Sequence, residues 1–443
     1  MSDDRTALDF RDTTALFRPG DPGYEAEIAG FQTGFAPRPE LVVGATDAED
    51  VRAAVARAAA HGWPVRVQAT GHGLPGASEG GVLITTRRMD GVRIDATART
   101  ARIEAGVRWR QVIEAAAPHG LAPPNGSAPG VGAVSYTLGG GLGLLAREYG
   151  YAADHVRALD LVTADARLLR VTPESEPELF WALRGGGHGL GVVTALEIGL
   201  LPVARLYGGS LLLGGELVGA VVRTYLEWTR TVPDTVTSSL SVMEFPDLPM
   251  VPEPLRGRYT VSVRVAHTGT EAAGERLVAP LRAAGPALSD SLREMPYTDS
   301  ASIHSDPEHP HAYYGDSAML REPDADALMD VLALTGPGAP MMCVVQINQL
   351  GGALAKEPDV PNAVPHREAG FLVRVLSPLD GTDPGTVRGL YDRVFRRLAP
   401  LTVGRSRNFG FADGSRTEGL YGAETERRLA GLKAAYDPAS LFR

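Results

Sequence analysis

The sequence predicts an α+β protein of two domains, in which a first domain of two subdomains precedes a domain with an antiparallel sheet covered by helices. The chain has 443 residues, enough for two or three domains at roughly 100–200 residues each. Up to about residue 203, short apolar strands alternate with helices and glycine-rich turns; from about 206 to 400, amphipathic elements replace the glycine clusters. We therefore expect a first domain over 1–205 (subdomains 38–97 and 98–205), a second over 206–403 and a C-terminal segment over 404–443.

Composition and charge exclude several classes of protein. The net charge is −10, from 43 basic and 53 acidic residues, and no basic block stands out, so we expect no nucleic-acid partner. No apolar run reaches the roughly 18 residues of a membrane span, and the N-terminal MSDDRTALDF has no apolar signal core. We expect a cytoplasmic protein without a membrane partner. The single cysteine, Cys343, excludes a disulfide framework, a cysteine zinc site and an iron–sulfur cluster.

The first elements predict a β-α-β unit. Residues 41–45 (LVVGA) indicate a buried strand. Thr46 and Glu49 then resemble a capping box, in which the threonine hydroxyl accepts from a free backbone N–H and the glutamate reaches back. The apolar residues that follow are spaced as on one face of a helix: Val51, Val55, Ala58 and Ala59. This helix should end at His61-Gly62, and Pro64 opens the next strand.

That strand leads into a glycine-bracketed turn, PVRVQATGHGLPG over 64–76, with His72 at its centre. Gly71 to Gly76 fit G-x-G-x-x-G, the dinucleotide-binding fingerprint, but the fingerprint needs a helix that opens at the third glycine. Here Ala77–Gly81 and then a strand follow, which argues against it. Two interpretations remain: a surface turn with an exposed histidine, or a loop of backbone N–H groups that wraps an anion.

Two more glycine clusters favour the second interpretation. One spans 121–145 and the other is RGGGHGLGVVT, before the strand Val192–Leu200. Each of the three loops lies at the edge of predicted strands, and glycine allows close backbone approach to a ligand. Together they indicate one long ligand across the sheet edge. The other strands predicted in this domain are Val82–Thr86, Val92–Asp95, Ala101–Ala105, Ala158–Thr163 and Leu168–Thr172.

The second domain alternates strands and amphipathic helices. The predicted helices are Leu217–Arg230, Asp324–Leu334 and Val387–Leu398, and the C-terminal segment ends in a helix over Glu424–Ala435. The predicted strands are Leu240–Phe245, Tyr259–Ala266, Met342–Leu350 and Gly370–Leu376. In the second of these strands, alternate apolar residues share one face.

Four motifs resemble a known family. They are V-R-V-x-A-T-G-H-G, P-G-V-G-x-V-S-x-x-L-G-G-G-x-G, D-x-x-x-A-L-D-L-V-T-A-D and L-F-W-A-L-R-G-G-G-x-G-x-G-V-V-T. Together they resemble FAD-linked oxidases of the vanillyl-alcohol-oxidase superfamily. The C-terminal N-F-x-x-x-D…Y-G-x-x-x-x-R-L-x-x-L-K-x-x-Y-D-P-x-x-L-F resembles the berberine-bridge-enzyme-like branch. The resemblance is strong over 40–203 and 405–443 and weak in the middle domain.

The resemblance implies a PCMH-type FAD-binding domain of two subdomains, a substrate domain over the flavin and a C-terminal segment that returns to the first domain. The FAD diphosphate would lie on Ala69, Thr70, Gly71, His72, Gly73 and Leu74, with His72 bonded to the flavin 8α-methyl group. The isoalloxazine and ribityl chain would lie on Gly130, Val131, Gly132, Ser135, Gly139, Gly140, Gly141 and Gly143. Gly191, Val192 and Val193 would approach the adenine, and Asn408 and Phe409 would lie beside the flavin.

Two positions depart from the family pattern. Doubly linked members have a cysteine where this chain has Ala128, so we expect at most one covalent link, through His72. Many members have a tyrosine base or substrate anchor where this chain has Ser406. The replacement candidates for catalysis are Tyr136, His366 and Asn348, together with Ser406 itself.

Histidines and acids between residues 304 and 311 raise the question of a metal site. The set is His304, Asp306, Glu308, His309 and His311. The irregular spacing and the prolines between them favour a loop over the substrate pocket instead, and we expect no metal. Cys343 should be a buried apolar residue.

The resemblance implies an FAD-dependent oxidase: a small organic substrate gives a hydride to flavin N5, one group takes the proton, and O₂ is the acceptor and yields peroxide. A secondary-metabolite intermediate suits the sequence best, and a carbohydrate is the alternative substrate. A second hypothesis is a redox-neutral cyclisation or rearrangement on the same flavin scaffold, motivated by Ser406. A third is a binding protein without turnover. We expect a monomer or homodimer.

Overall fold

Three main sheets organise the protein. The structure is a computed structural model that describes residues 10–74, 76–249, 251–379, 381–411 and 416–443. Its main sheets lie within residues 15–85, 92–199 and 205–404. This mixture of helices and largely antiparallel sheets confirms the predicted α+β class. Among the described residues, no helix is both long enough and apolar enough to cross a bilayer.

The first sheet carries the glycine turn. Its region contains β1 (Ala15–Phe17), α1 (Tyr24–Ile28), β2 (Pro37–Arg38), β3 (Leu41–Gly44), α2 (Ala48–His61), β4 (Val65–Gln68), β5 (Ser78–Glu79) and β6 (Val82–Thr85). The sheet order is β1-β3-β6-β4, and β3, β6 and β4 run parallel. After the turn, the next regular element is the short strand β5, so no helix opens at Gly76.

The cap of α2 corrects one sequence prediction. Asp47, not Thr46, is the N-cap, because its carboxylate accepts from the backbone N–H groups of Glu49 and Asp50. The Thr46 hydroxyl instead donates to the Asp50 carboxylate. A carboxylate serves a helix N-terminus well, because it meets both free N–H groups and the positive end of the helix dipole.

The second sheet has the order β10-β9-β11-β8-β7 and is antiparallel throughout. Its region contains β7 (Val92–Asp95), β8 (Thr100–Glu104), α3 (Trp109–Ala116), α4 (Ala133–Leu138), α5 (Ala146–Tyr149), β9 (Val156–Val162), β10 (Leu168–Val171), α6 (Pro177–Ala182) and β11 (Val192–Gly199). The short helix α4 lies in the second glycine-rich segment and α5 directly follows it; neither helix was predicted from the sequence.

The third sheet is the largest and also antiparallel. Its order is β15-β12-β14-β13-β18-β19-β17-β20, with β16 also paired to β12. Its region contains β12 (Arg205–Gly214), α7 (Val218–Thr229), β13 (Val236–Glu244), β14 (Tyr259–His267), α8 (Glu271–Arg282), β15 (Ala287–Asp290), β16 (Arg293–Pro296), β17 (Tyr313–Leu320), α9 (Ala325–Thr335), β18 (Val344–Gln349), β19 (Phe371–Pro378), α10 (Pro384–Leu398) and β20 (Thr402–Gly404). The last helix is α11 (Ala423–Tyr436).

The two faces of the third sheet differ in chemistry, because alternate residues of a strand point to opposite faces. One face is buried against α7–α10 and includes Leu240, Val263, Ile347 and Val373. The opposite face carries a polar set: Ser239, Ser241, Arg264, Gln346, Asn348 and Arg374. The strand register places Arg264 and Asn348 on either side of Ser239, and Ser241 and Arg374 on either side of Gln346.

Buried ion pairs and hydrogen bonds join the third sheet to the first two. Arg147, on α5, donates to the carbonyls of Leu350, Pro233 and Val236 at 2.7–3.2 Å. The C-terminal residues return to the edge of the first sheet, where Val65 N–H donates to Leu441 O at 2.7 Å. These contacts fix the polar face of the third sheet against the glycine-rich segments.

We expect Arg147→Met to lower the free energy of unfolding by about 2–3 kcal/mol, because buried carbonyl oxygens lose their donors. Urea denaturation of the holoenzyme measures the change. Arg223→Met, which removes an exposed arginine from α7, is the matched control and should cost less than about 0.5 kcal/mol. Equal losses in the two variants would show that Arg147 does not stabilise the junction.

Candidate active site

The loop Ala69–Leu74 is held by the segment before β2. The N–H groups of Phe31 and Gln32 donate to Thr70 O at 2.9 Å and to Gly71 O at 3.0 Å. Gly71 has φ +70°, and a Cβ there would lie 2.6 Å from Gly30 Cα. Only glycine permits both the left-handed backbone and this approach.

The His72 ring is fixed on three sides. It stacks on Phe31 with ring centroids 3.9 Å apart, and its Nδ1 is hydrogen-bonded to Thr70 Oγ1 at 2.8 Å. The Tyr313 hydroxyl donates to the His72 carbonyl. Burial, with the nearby positive charge of Arg108, lowers the pKa of His72 to about 4. The ring is therefore neutral at physiological pH.

The second glycine-rich segment meets the first at His72. A Cβ on Gly130 would lie 3.9 Å from His72 Cε1 and 4.0 Å from Nε2. A Cβ on Gly132 would lie 3.4 Å from Ala69 Cβ. α4 begins directly after Gly132, and Ser135 Oγ donates to Gly132 O at 3.3 Å. Val131 packs against the core of the second sheet.

The C-terminal segment lies on the same glycine-rich stretch. Asn408 Nδ2 donates to Tyr136 O at 2.9 Å, and a Cβ on Gly139 would lie only 1.7 Å from Asn408 Oδ1. Gly140 and Gly141 both have positive φ, +108° and +75°. Close packing of backbone and side chain here depends on the missing Cβ atoms.

The third segment lies between the first two sheets. Gly191 has φ +155°, and a Cβ there would lie 2.7 Å from Val162 O. Val192 packs with the core of the first sheet and Val193 with that of the second. The side chains of both valines are buried, so a ligand here would meet the backbone.

Three of the four predicted catalytic residues do not reach an open site. His366 Nε2 is bonded to Gly419 O at 2.9 Å, and its ring lies over Gly404, where a Cβ would be 2.0 Å away. Ser406 uses its N–H on Ser317 Oγ at 3.2 Å. Tyr136 is enclosed, and burial raises the pKa of its hydroxyl well above the usual value. None of these three residues lines the cavity described next.

A cavity lies between the second glycine-rich segment and the polar face of the third sheet. Asn348 lines it, as expected, although its Oδ1 already accepts from Gln346 Nε2 at 2.9 Å. Gln346, two residues before Asn348 on the same strand, also lines it, and the polar lining residues that could not be singled out from sequence include Ser127, Ser239, Arg264 and Arg374. Their signal was the polar alternation along β13, β14, β18 and β19, on the face opposite the apolar one.

The 304–311 loop closes one side of the cavity. His304 lines it, with its Nδ1 buried and without a hydrogen-bond partner among the described residues. Asp306 accepts from Ser127 Oγ at 2.5 Å, while Glu308 pairs with Arg110 at 2.6 Å. The described residues contain no group of three or more acids, histidines or cysteines that could hold a metal. Of this loop, His304 borders the pocket.

Burial and neighbouring charges together set the protonation states of His304 and Asp306. Burial, followed by the positive charge of Arg264, lowers the pKa of His304 to about 3. Burial alone would raise the pKa of Asp306, but His304, Arg374 and the Ser127 hydrogen bond keep it below its usual value. At neutral pH, His304 is uncharged and Asp306 is an anion.

Comparison with known proteins gives a consistent result. The profile of the FAD binding domain matches residues 39–172. (R)-6-hydroxynicotine oxidase of Paenarthrobacter nicotinovorans is 29% identical, covering 96% of this chain and 94% of that protein. An uncharacterised FAD-linked oxidoreductase of Bacillus subtilis is 25% identical, with the same coverage of each.

Solved structures show the same fold over almost the whole chain. The crystal structure of 6-hydroxy-D-nicotine oxidase from Arthrobacter nicotinovorans has a TM-score of 0.84 at 27% identity, covering 99% of this chain and 98% of that one. The xylooligosaccharide oxidase of Myceliophthora thermophila has a TM-score of 0.83 at 19% identity, covering 96% and 95%. The chain thus contains an FAD-binding domain, its full-length relatives include FAD-linked oxidoreductases, and its fold is that of PCMH-type, berberine-bridge-enzyme-like oxidases.

Proposed function

We propose that this FAD-dependent oxidase holds its flavin through His72 and oxidises a small polar molecule in the cavity beneath the polar face of the third sheet. One observation supports this most directly: Ser127 and Leu142–Leu144 of the second glycine-rich segment line the cavity opposite the polar strands. A flavin held on that segment would face a substrate held by the sheet.

The residues present fit FAD. Among the described residues, no atom lies within 4 Å of a Cβ built on Gly73, and only His72 atoms lie that close to one on Gly130. The backbone at Gly73 and Gly130 is open to a ligand, whereas Gly71, Gly139 and Gly141 are packed against protein. Ala69–Leu74 would hold the diphosphate, Gly130–Gly143 the isoalloxazine and ribityl chain, and Gly191–Val193 the adenine, with Asn408 and Phe409 beside the ring.

His72 has the state that a covalent link requires. A neutral imidazole is nucleophilic, and Thr70 occupies Nδ1, so Nε2 is the free nitrogen on the side of Gly130. Ala128 offers no second tether. The lone cysteine, Cys343, is buried beside Ser377 at 3.3 Å in the second domain. We therefore propose a single histidyl link and no cysteinyl one.

When bound, FAD accepts a hydride from the substrate and passes the electrons to O₂. The protein must take the accompanying proton, and we propose His304 for this step. A neutral imidazole has one acceptor nitrogen, and His304 lines the cavity. The Asp306 carboxylate would stabilise the imidazolium that forms. Asn348, the one predicted catalytic residue in the cavity, has an amide and is no base.

The redox-neutral alternative was suggested by Ser406 at the position of the family tyrosine. Ser406 does not line the cavity that a substrate would enter, so we do not favour this alternative. The carbohydrate alternative is supported only by solved structures that are under 25% identical to this chain, such as that of the xylooligosaccharide oxidase. A role in secondary metabolism, a cytoplasmic location and a monomer or homodimer stay predictions.

The covalent link predicts the fate of the yellow colour. Acid precipitation of the wild-type protein should give a yellow pellet, whereas His72→Ala should release all its flavin or bind none. Absorbance at 450 nm in pellet and supernatant measures this. A white wild-type pellet would exclude the link.

The low pKa of His72 predicts the pH dependence of flavin attachment. Burial depresses the pKa to about 4, so the nucleophilic neutral form persists below the usual value. Flavin attachment to riboflavin-starved protein should therefore be within about twofold at pH 5.5 and 7.5. A histidine with the ordinary pKa of about 6.5 would react about tenfold more slowly at the lower pH, and such a drop would contradict the assigned protonation state.

Gly73 tests the cofactor position. Gly73→Ala places a methyl group where no described protein atom is near, so stability should hold while flavin content falls at least about fivefold if the diphosphate lies there. Gly389→Ala, an open helical position in α10, is the matched control and should keep full flavin. Normal flavin content in Gly73→Ala would place the cofactor elsewhere.

The assignment of His304 predicts a selective loss of the chemical step. With any compound that bleaches the wild-type flavin without oxygen, His304→Ala should slow bleaching about 10²–10⁴-fold at unchanged flavin content. His309→Ala, an exposed histidine of the same loop, should leave the rate unchanged. Unchanged bleaching in His304→Ala would exclude it as the proton acceptor; product formation without any bleaching would restore the redox-neutral hypothesis.

A further inference from the structure

Two arginines of the cavity stand on opposite sides of its polar wall. Arg264 is on β14 and Arg374 is on β19, with β13 and β18 between them. Three strand spacings put their backbones roughly 14 Å apart. Both side chains line the cavity, and, besides burial, the positive charge of each lowers the pKa of His304. The sheet face between them carries Ser239, Ser241, Gln346 and Asn348, of which all but Ser241 line the cavity.

Neither guanidinium has an acidic partner. Within the described part of the chain, no carboxylate lies within 4 Å of Arg264 or Arg374, and Arg374 Nε is buried without a hydrogen-bond partner. The other buried arginines differ: Arg147 and Arg367 give their donors to carbonyls and carboxylates. Phe409 lies 5.3 Å from the Arg374 guanidinium carbon and supports it from the side of the C-terminal segment.

The charge balance of the cavity is positive. Burial lowers the pKa of Arg264 to about 10 and lowers that of Arg374, and both are counted as cations because arginine keeps its charge in proteins. Asp306 is the one carboxylate that acts on both, and it already accepts from Ser127. His304 is neutral. Two cations and one anion leave one positive charge uncompensated in a place where an unpaired charge is costly.

Unpartnered hydroxyls lie on the same wall. Ser239 Oγ and Ser241 Oγ are both buried without hydrogen-bond partners among the described residues. A planar anion could accept from these hydroxyls and from a guanidinium fork at once, since guanidinium geometry matches a carboxylate in two parallel hydrogen bonds. One uncompensated positive charge matches a carboxylate monoanion better than a phosphate dianion.

From this arrangement we infer that the oxidase acts on a carboxylate, whose anionic group is held by Arg264 and Arg374 against the serine wall. This inference rests on the proposed position of the flavin and substrate. It disfavours a neutral sugar, which would leave the charge unmatched, and a cationic amine, which both guanidinium groups would repel.

Ligand binding to the holoenzyme tests the inference without turnover. Benzoate and phenylacetate are compared with their neutral amides, benzamide and phenylacetamide, by flavin difference spectra and by calorimetry. We expect each carboxylate to bind at least about 30-fold more tightly than its amide. In Arg264→Met and in Arg374→Met, the dissociation constant of the carboxylate should rise at least about tenfold, while that of the amide changes less than about twofold.

Three controls separate the outcomes. Arg223→Met removes one positive charge from the opposite side of the sheet and should leave both ligands unaffected. Arg264→Lys and Arg374→Lys keep the positive charge and should recover part of the carboxylate affinity. These variants test the role of the charge even if a methionine variant misfolds. The comparison of carboxylate with amide binding to the wild-type protein tests the inference without any variant. Equal affinity for carboxylate and amide, as expected if the arginines face the cofactor instead, overturns the inference.

The inference and the proposed function fail separately. If carboxylates bind more tightly than amides but none bleaches the flavin without oxygen, the anion-binding site is supported and the oxidation of carboxylate substrates is contradicted. If a neutral compound bleaches the flavin while carboxylates bind no better than amides, the oxidase stands and the anion site is wrong.

Discussion

The alternation of side chains along the strands of the third sheet is the constraint on which the rest depends. Because the helices α7–α10 take all the apolar residues of one face, the polar residues must lie on the other. That face is covered by the glycine-rich segments of the first domain, so its charges are enclosed rather than solvated. A two-faced sheet thereby supplies the polar wall of the cavity, and the second glycine-rich segment and the 304–311 loop supply the other sides.

Enclosure also explains the protonation states. The same low-dielectric surroundings that keep His72 and His304 neutral also raise the cost of the unpaired guanidinium groups. Neutral histidines next to cationic arginines are mutually consistent, because a second positive charge would add repulsion to the desolvation cost. An anionic ligand would reverse this balance and make protonation of His304 easier, which suits a group that must gain a proton during turnover.

Local sequence signals predicted the first domain well and the substrate side poorly. The β-α-β unit, the turn at His72 and the absence of a following helix depended on neighbours in sequence. The N-cap of α2 was wrongly assigned to Thr46 because Thr46 and Asp47 are adjacent and both have side-chain oxygens that can cap a helix. β12, β17 and α8 were missed in the second domain, where strand pairing spans long separations. His366 and Ser406 were assigned from a family pattern, and only the tertiary structure shows that Gly419 and Ser317 engage them.

The lining of the cavity could have been deduced from the sequence by one further step. β14 was predicted with its apolar residues on one face, which leaves Ser262 and Arg264 on the other, and the same count along β19 places Arg374 opposite Val373 and Val375. The order of the strands cannot be read from such a count. β19 begins at Phe371, 104 positions after β14 ends at His267, yet the two strands flank the same pair of strands, β13 and β18. The charge of the site thus comes from residues that are individually ordinary for the exposed face of a sheet. They become a specific site only because the first domain covers that face, and this is why substrate preference can differ among relatives that share the fold and the flavin loops.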